Sequence, residues 1–341
     1  MSSISPVLRE AASSLRPPPP PALPGPAELL DLGRWLQSRA YRFITVTPLT
    51  HQRILARHRA VQDADERDAF GWSRPFAPTL LPHALGQRLL QAGIVVEDGA
   101  GGAWRSTVRW STLDGLLISH SAYPTTAADA VFFGPDTYRF ASLITETLRL
   151  APLPRAAHIL DMGCGGGPGG LLAATLALER GVPPASIVLA DINGRALAHA
   201  QANALLAGLP QAQCVTTDLY AGIEGTYDLI VANPPYLVDG ASRTYRHGGG
   251  ALGGELSERI VREGLDFLRP GGRLVLYTGA AMVRGRDPLR ESLAAIVRAR
   301  GWPMAYGELD PDVFGEELDA PAYVCAERIA AVGMVVQRPA A

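Results

Sequence analysis

The stretch of this chain with the most definite chemistry is Asn233-Pro234-Pro235-Tyr236. Asn233 offers a side-chain carbonyl, and the Asn-Pro junction restricts the directions of the main-chain carbonyls around it, that of Pro234 included. Two such acceptors in one plane hold both hydrogens of a planar NH₂ group, as in an amide or a base amine. Tyr236 adds an aromatic face on which that flat group stacks. The array suits a nitrogen that must present its lone pair to an electrophile. The plainer reading, a proline-stiffened loop with an incidental Asn and Tyr, is weakened by what precedes it. Asp228 to Val231 is a short apolar, β-branched run, the mark of a strand buried on both faces. Neither proline can donate to a ladder, so that strand must end at Asn233. In an open parallel sheet, ligands bind in the crevice beyond the strand carboxyl ends.

A second constellation lies upstream. His158 to Met162 reads as a buried strand, and Asp161-Met162-Gly163-Cys164-Gly165-Gly166-Gly167 follows, opening a helix from about Gly169 to Arg180. Gly163, Gly165 and Gly167 let the backbone turn tightly and approach a ligand where a Cβ would collide. Nucleotide-binding Rossmann proteins share such a pattern, so the glycines alone are weak evidence. Asp161 separates the cases. A carboxylate at the strand end meets the ammonium of an amino-acid ligand, directly or through water, and repels a pyrophosphate. The next strand, Ser186 to Ala190, ends in Asp191, 24 residues after Gly167. That is near the roughly 20 expected of an acid that hydrogen-bonds ribose hydroxyls, with Asn193 placed to assist.

Four segments in this order resemble class I S-adenosylmethionine-dependent N-methyltransferases, in particular the release-factor glutamine methyltransferases and the small-domain rRNA guanine methyltransferases. The resemblance runs from about Phe132 to Arg338. It implies S-adenosylmethionine as methyl donor, held by Asp161, Gly163, Gly165, Gly167, Asp191 and Asn193. Asp218 would accept from the adenine amine while Leu219 packs on the ring. Asn233 is implied in both donor and acceptor binding, and Asn233, Pro234, Pro235 and Tyr236 in catalysis. Val131 to Phe140, VFFGPDTYRF, loosely resembles a proline-containing motif that begins a helix over the donor, with Asp136 or Thr137 as its cap. The chain departs from the glutamine enzymes in two places. That motif lacks their Arg and Glu pattern, and no Glu-Pro segment follows the tetrapeptide. A glycine-rich run from Gly248 to Gly254 stands there instead, read as a mobile lip over the acceptor, with Arg246 or His247 as substrate contacts.

The expected fold is α/β, a Rossmann-like, seven-stranded, mostly parallel sheet with a last strand entering antiparallel by a hairpin. Three regions are expected. Residues 1–26, with five consecutive prolines, read as a tail that cannot bury a core. Residues 27–125 read as an α+β accessory, substrate-recognition domain, and residues 126–341 as the donor-binding domain. In the accessory region helices are expected at Ala27–Arg39, from a Thr50 cap to about Val61, and at Leu81–Ala92. A brief strand at Phe43–Val46 and a hairpin over Gly93–Trp110, continued by Gly115–His120, complete it. Helices followed by a long hairpin are compatible with a winged-helix-like module.

Composition bounds the partners. Hydrophobic residues are 47% and charged residues 19% of 341, an ordinary globular balance. All 31 basic residues are arginine, and the net charge is −2. Up to Arg155 there are 16 arginines against 13 acids, and after it 15 against 20. A first half at +3 falls short of the basic footprint of a strong nucleic-acid binder. A protein or small-molecule amide or amine acceptor is therefore favoured, with an rRNA or tRNA base as the alternative. Three cysteines without metal-type spacing point to a reducing cytosol, and no apolar run approaches the roughly 20 residues that span a membrane. A cytoplasmic enzyme without a metal or a covalent nucleophile is expected. Two other classes fit the residues less well. A dinucleotide-dependent oxidoreductase leaves Asp161 and the tetrapeptide without a role, and a non-catalytic RNA-binding protein leaves the intact donor motif without one.

Overall fold

A computed structural model describes residues 25–57, 59–238 and 245–340. Of the proline-rich segment, residues 1–24 lie outside the described residues, as does His58. Pro26 opens helix α1 (Pro26–Ser38) at a position where its missing N–H is no loss. Helices α2 (Pro48–Leu55), α3 (Glu66–Phe70) and α4 (His83–Gln91) follow. Two departures are local chemistry. Thr47, not Thr50, caps α2 by accepting from the Thr50 amide, and α2 stops at Leu55. The segment at Phe43–Val46 is extended but joins no ladder. Its Phe43 carbonyl accepts from the Thr112 amide and its Thr45 amide donates to the Tyr138 hydroxyl.

The strands that follow form two separate hairpins, β1 (Val95–Asp98) with β2 (Ala103–Ser106) and β3 (Val108–Leu113) with β4 (Leu116–Ser121). Asp114 and Gly115 both take positive φ, 44° and 85°, the paired left-handed turn that an Asp-Gly dipeptide favours between strands. Leu29, Leu32, Leu36, Phe70, Phe76, Ile94 and Trp110 form the core of this part, joined by Ala202 and Leu206 from a helix of the second part.

That second part carries α5 (Pro135–Leu150), β5 (His158–Met162), α6 (Pro168–Glu179), β6 (Ser186–Asp191), α7 (Gly194–Leu206), β7 (Gln213–Thr216), β8 (Tyr227–Ala232), α8 (Glu255–Gly264), β9 (Leu268–Met282), α9 (Pro288–Arg298), β10 (Met304–Asp310) and β11 (Arg328–Gln337). One seven-stranded sheet runs β10-β11-β9-β8-β5-β6-β7. Pairs from β9 to β7 are parallel, and β11 is antiparallel to both its neighbours. Alternate residues along β5 serve opposite faces. Ile159 packs with Phe140, Ile144, Leu171 and Ala200 of α5, α6 and α7, whereas Leu160 and Met162 pack with Ile260 and Leu293 of α8 and α9. Both faces being covered explains the continuous apolar runs of the strands. Strand β9 is 15 residues long and accommodates Pro270-Gly271-Gly272 within it. The chain winds outward from β5 to β7 and restarts at β8, so the order reverses between β5 and β8. A crevice opens there.

Candidate active site

The crevice holds a cavity of about 450 Å³. Every residue expected at the donor and acceptor positions except Gly167 lines it, from Asp161, Gly163 and Gly165 through Asp191, Asn193, Asp218 and Leu219 to Asn233, Pro234, Pro235 and Tyr236.

The donor side is built by backbone amides closing on two carboxylates. Asp161 ends β5 in the core, and its Oδ2 accepts from the Gly170 amide at 2.7 Å, in the first turn of α6. A Cβ on Gly170 would sit 2.9 Å from that of Asp161, so the glycine permits the approach. Burial, and then the charge of Asp191, raise the Asp161 carboxyl to about 7, against the opposing pull of the Gly170 amide. Asp191 ends β6 and uses both oxygens, Oδ2 on the Gly165 amide and Oδ1 on the Asn193 amide, each at 2.8 Å. Burial raises its carboxyl too. Each Asp191 oxygen keeps a second lone pair for a ligand hydroxyl. The Asn193 side chain caps α7 through the Arg195 amide and donates to the Asp129 carbonyl at 2.8 Å, so its atoms hold the frame.

Gly163, Gly165 and Gly167 take φ of 66°, 54° and 81°, the left-handed region that favours glycine. A Cβ on Gly163 or Gly165 meets nothing within 4 Å, so bare backbone faces open space there. Gly167 lies behind this face as the residue before α6, its would-be Cβ against Leu189 and Leu171. Next to the exposed carboxylate of Asp218, Leu219 is buried at φ 49°, with the Thr217 hydroxyl donating to its carbonyl at 2.9 Å. A non-glycine residue held in that region marks backbone fixed by its surroundings. A buried and a half-buried carboxylate, bare glycine backbone and an apolar ledge fit an amino-acid–nucleoside cation.

The acceptor side begins at the end of β8. The Asn233 amide makes no hydrogen bond among the described residues and borders the cavity. Tyr236 is only 8% exposed. Its ring packs edge-on against Tyr277 and Phe314, with centroids 6.5 and 5.9 Å away, and fills the place where a Gly279 side chain would be. It is a wall of the cavity more than an open stacking platform. Behind it, the run expected as a mobile lip is bonded as a strap to Leu237, the residue after the tetrapeptide. The Leu237 amide donates to the Arg246 carbonyl and the Gly248 amide to the Leu237 carbonyl, at 3.1 and 2.8 Å. Arg246 also pairs with Glu317. Residues 239–244, which join tetrapeptide and strap, lie outside the described residues.

The helix expected over the donor is present, but the sequence reading placed its cap wrongly and missed one wall. Gly134, not Asp136 or Thr137, precedes α5, its amide donating to the Thr137 hydroxyl at 3.2 Å. Asp136, Thr137 and Phe140 are thereby turned to the cavity. The segment before α5 brings Phe132 over the mouth, where its ring lies 6.4 Å from that of Tyr245 and nearly parallel to it. The Gly-Pro break was the available signal for α5. Phe132 lies within the motif already singled out, whereas nothing local marks Phe314.

A family model for the methyltransferase small domain matches residues 130–295. The release factor glutamine methyltransferase of Deinococcus radiodurans is 33% identical over 263 residues, covering 71% of this chain and 87% of that protein. The ribosomal RNA small subunit methyltransferase C of Sodalis glossinidius is 32% identical over 127 residues, covering 37% of this chain and 32% of that protein. The crystal structure of a SAM-dependent methyltransferase from Agrobacterium tumefaciens aligns over 76% of this chain and 80% of its own, at 19% identity and a TM-score of 0.45. With a buried-carboxylate donor loop at the switch point and Asn-Pro-Pro-Tyr beside it, the chain belongs to the S-adenosylmethionine-dependent N-methyltransferases that carry the methyltransferase small domain.

Proposed function

We propose that the planar nitrogen this enzyme methylates is an amide or amine of a protein or small molecule, with a glutamine side-chain amide as the first choice. The observation that carries a planar-nitrogen acceptor is the Asn233 amide, which faces the cavity with no partner among the described residues. An unpaired polar group held by two prolines beside the donor loop is a waiting half of a hydrogen-bond pair. Its Oδ1 and the Pro234 carbonyl accept the two N–H bonds of the acceptor and hold its plane. The nitrogen lone pair is thereby drawn out of conjugation and aimed along one line. S-adenosylmethionine supplies an electrophilic methyl on a sulfonium centre. Asp161 and Asp191 orient the donor's polar ends, while Phe132, Phe140, Leu219 and Tyr236 keep water from the line of attack. Orientation and electrostatics do most of the work, since the electrophile is already charged.

The extent of similarity supports a protein amide over RNA. The match to the Deinococcus glutamine enzyme covers 71% of this chain, about 242 residues, more than the 216 of residues 126–341, so that likeness reaches into the accessory region. The match to the Sodalis rRNA enzyme covers 37% of this chain, an extent that does not require it to reach there. The first half at +3 points the same way. The accessory region is accordingly read as the part that docks the acceptor. The test is transfer of labelled methyl into cell extract with and without ribonuclease, followed by mass spectrometry of the labelled fraction. Label on glutamine is expected. Label in ribonuclease-sensitive material would move the assignment to a base amine.

A further inference from the structure

Asp136 is a carboxylate that the scheme above leaves without a task, although it borders the cavity and is 3% exposed. A buried charge must be paired. Its Oδ1 accepts from the Tyr277 hydroxyl at 2.5 Å and from Arg139 Nη1 at 3.2 Å. Arg139 is shared, because its Nη2 donates to Asp310 at 2.6 Å. The short bond to Tyr277 is therefore the dominant partner of this carboxylate, a charge-assisted bond in dry surroundings. Tyr277 sits on β9 directly after Leu276, the residue paired with Ala232, and Ala232 precedes Asn233. Asp136 sits on α5, beside the Thr137 and Phe140 that line the donor pocket. The bond thus ties the helix over the donor to the strand beneath the acceptor tetrapeptide.

Tyr236 lies between the two. Its ring is bounded by Tyr277, Phe314 and the bare face of Gly279, where a Cβ would come within 2.3 Å. Its phenol faces the same carboxylate. Burial first, and the Asp136 charge second, push its ionisation up, so it remains a neutral donor. Asn233, having no side-chain partner among the described residues, takes its direction from the backbone alone, and that backbone is anchored at its far end by Tyr236.

We propose that Asp136 and Tyr277 are positioning residues of the methyl transfer, clamping Tyr236 so that the Asn233 and Pro234 acceptors hold their line to the donor. The proposal rests on the amide-acceptor reading above, and the experiment separates the two. Tyr277→Phe keeps shape and removes the bond, and Asp136→Asn keeps shape and an acceptor but removes the charge that strengthens it. Both are compared with wild type on a synthetic glutamine-containing peptide, with donor affinity by calorimetry and melting temperature measured on each protein. Turnover is expected to fall about 10- to 100-fold, the scale of a sub-ångström to 1 Å misplacement. Donor affinity should stay within about 3-fold, and the double variant should be no slower than the slower single one, as for two ends of one bond. Unchanged turnover in Tyr277→Phe overturns the proposal. So does a loss of donor affinity as large as the loss of turnover, which would make the pair part of the donor pocket only. If Asp136→Asn does not fold, Tyr277→Phe decides alone. A wild type that leaves the peptide unmodified refutes the amide acceptor instead. The variants are then scored on the ribonuclease-sensitive acceptor by the same two criteria.

Discussion

The side-chain amide of Asn203 donates to the carbonyl of Gly166, in the middle of the donor loop, at 2.8 Å. Its Oδ1 accepts from the amide and hydroxyl of Ser119 on β4, at 2.9 and 2.8 Å. One fully buried residue of α7 thus joins the accessory hairpin to the loop that meets the donor. The loop's own glycine makes the junction close, since a Cβ on Gly166 would lie 3.1 Å from the Ser119 carbonyl oxygen. Asn203→Ala strands two buried backbone groups, each at about 1–3 kcal/mol. Stability should drop by about 2–4 kcal/mol, read from denaturant unfolding. Donor affinity should fall about 10-fold by calorimetry, a loss of roughly one such bond. A stability loss with donor affinity untouched would show that the junction holds the fold and has no hold on the loop.

Donor binding should release a proton near neutrality. The Asp161 carboxyl, raised by burial to about 7, is partly protonated in the free enzyme at pH 7. A cationic ligand favours its charged form. Affinity should therefore rise with pH from about 5.5 and level off above about 8, and calorimetry in buffers of different ionisation enthalpy should detect the proton. Asp161→Asn should flatten the profile. The same shift has a stability sign. The folded state binds this proton more tightly than the unfolded chain does, so the contribution is complete below the ordinary carboxyl value near 4. It is lost as pH rises towards 7. A donor affinity independent of pH over this range refutes the role given to Asp161.

Asp191→Ala removes the acceptors of the Gly165 and Asn193 amides together with those offered to the ribose. A drop in donor affinity of about 10-fold or more is expected. Asp191→Asn, which keeps one oxygen, should lose less. Equal losses in the two variants would mean that charge, not the pair of acceptors, carries the contact.

What the sequence disclosed and what it hid follow from the range of the interactions involved. Strand β5 is observed at the expected His158–Met162, and β6 and β8 within a residue or so of their expected ends, because a strand buried on both faces writes its burial into adjacent residues. Gly163, Gly165 and Gly167 were legible because their backbone geometry is one that few other residues adopt. Asp136 was hidden by a local alternative, since an acid after Gly-Pro reads as a cap, and only the distant Tyr277 gives it another partner. Phe132 and Phe314 reach the cavity from segments with no periodicity at all. The glycine-rich run was legible as special, but not its main-chain bonds to Leu237. Glycine permits both motion and close contact, and only the neighbouring chain decides between them.

Asn233→Ala should cut turnover by about 100-fold or more while donor affinity stays near that of the wild type, because the hydrogen bonds proposed for its amide are to the acceptor. Steady-state rates on the labelled acceptor and calorimetry with the donor check the two halves. Turnover that survives the change removes Asn233 from the acceptor scheme.

Gly253 tests whether the strap is a support or a lip. It holds φ 82°, and a Cβ there would stand 2.2 Å from the carbonyl oxygen of Tyr236 and 2.7 Å from its carbon. Gly248 is as tightly placed, its would-be Cβ 2.7 Å from the Pro235 oxygen. Two glycines therefore lie on the backbone of the tetrapeptide, where no other residue fits. Gly253→Ala must push the strap or the tetrapeptide away by a sizeable fraction of an ångström. It also carries the left-handed penalty of about 1–2 kcal/mol. Gly181→Ala is the matched control. It follows α6 at φ 69° with nothing within 4 Å of the added methyl, so it has the backbone penalty without the collision. Gly253→Ala should lower turnover about 10-fold or more at unchanged donor affinity, whereas Gly181→Ala should cost similar backbone stability and leave turnover as it was. If the two variants lose the same stability and both keep full activity, the strap yields without moving the tetrapeptide, and it is a lip after all.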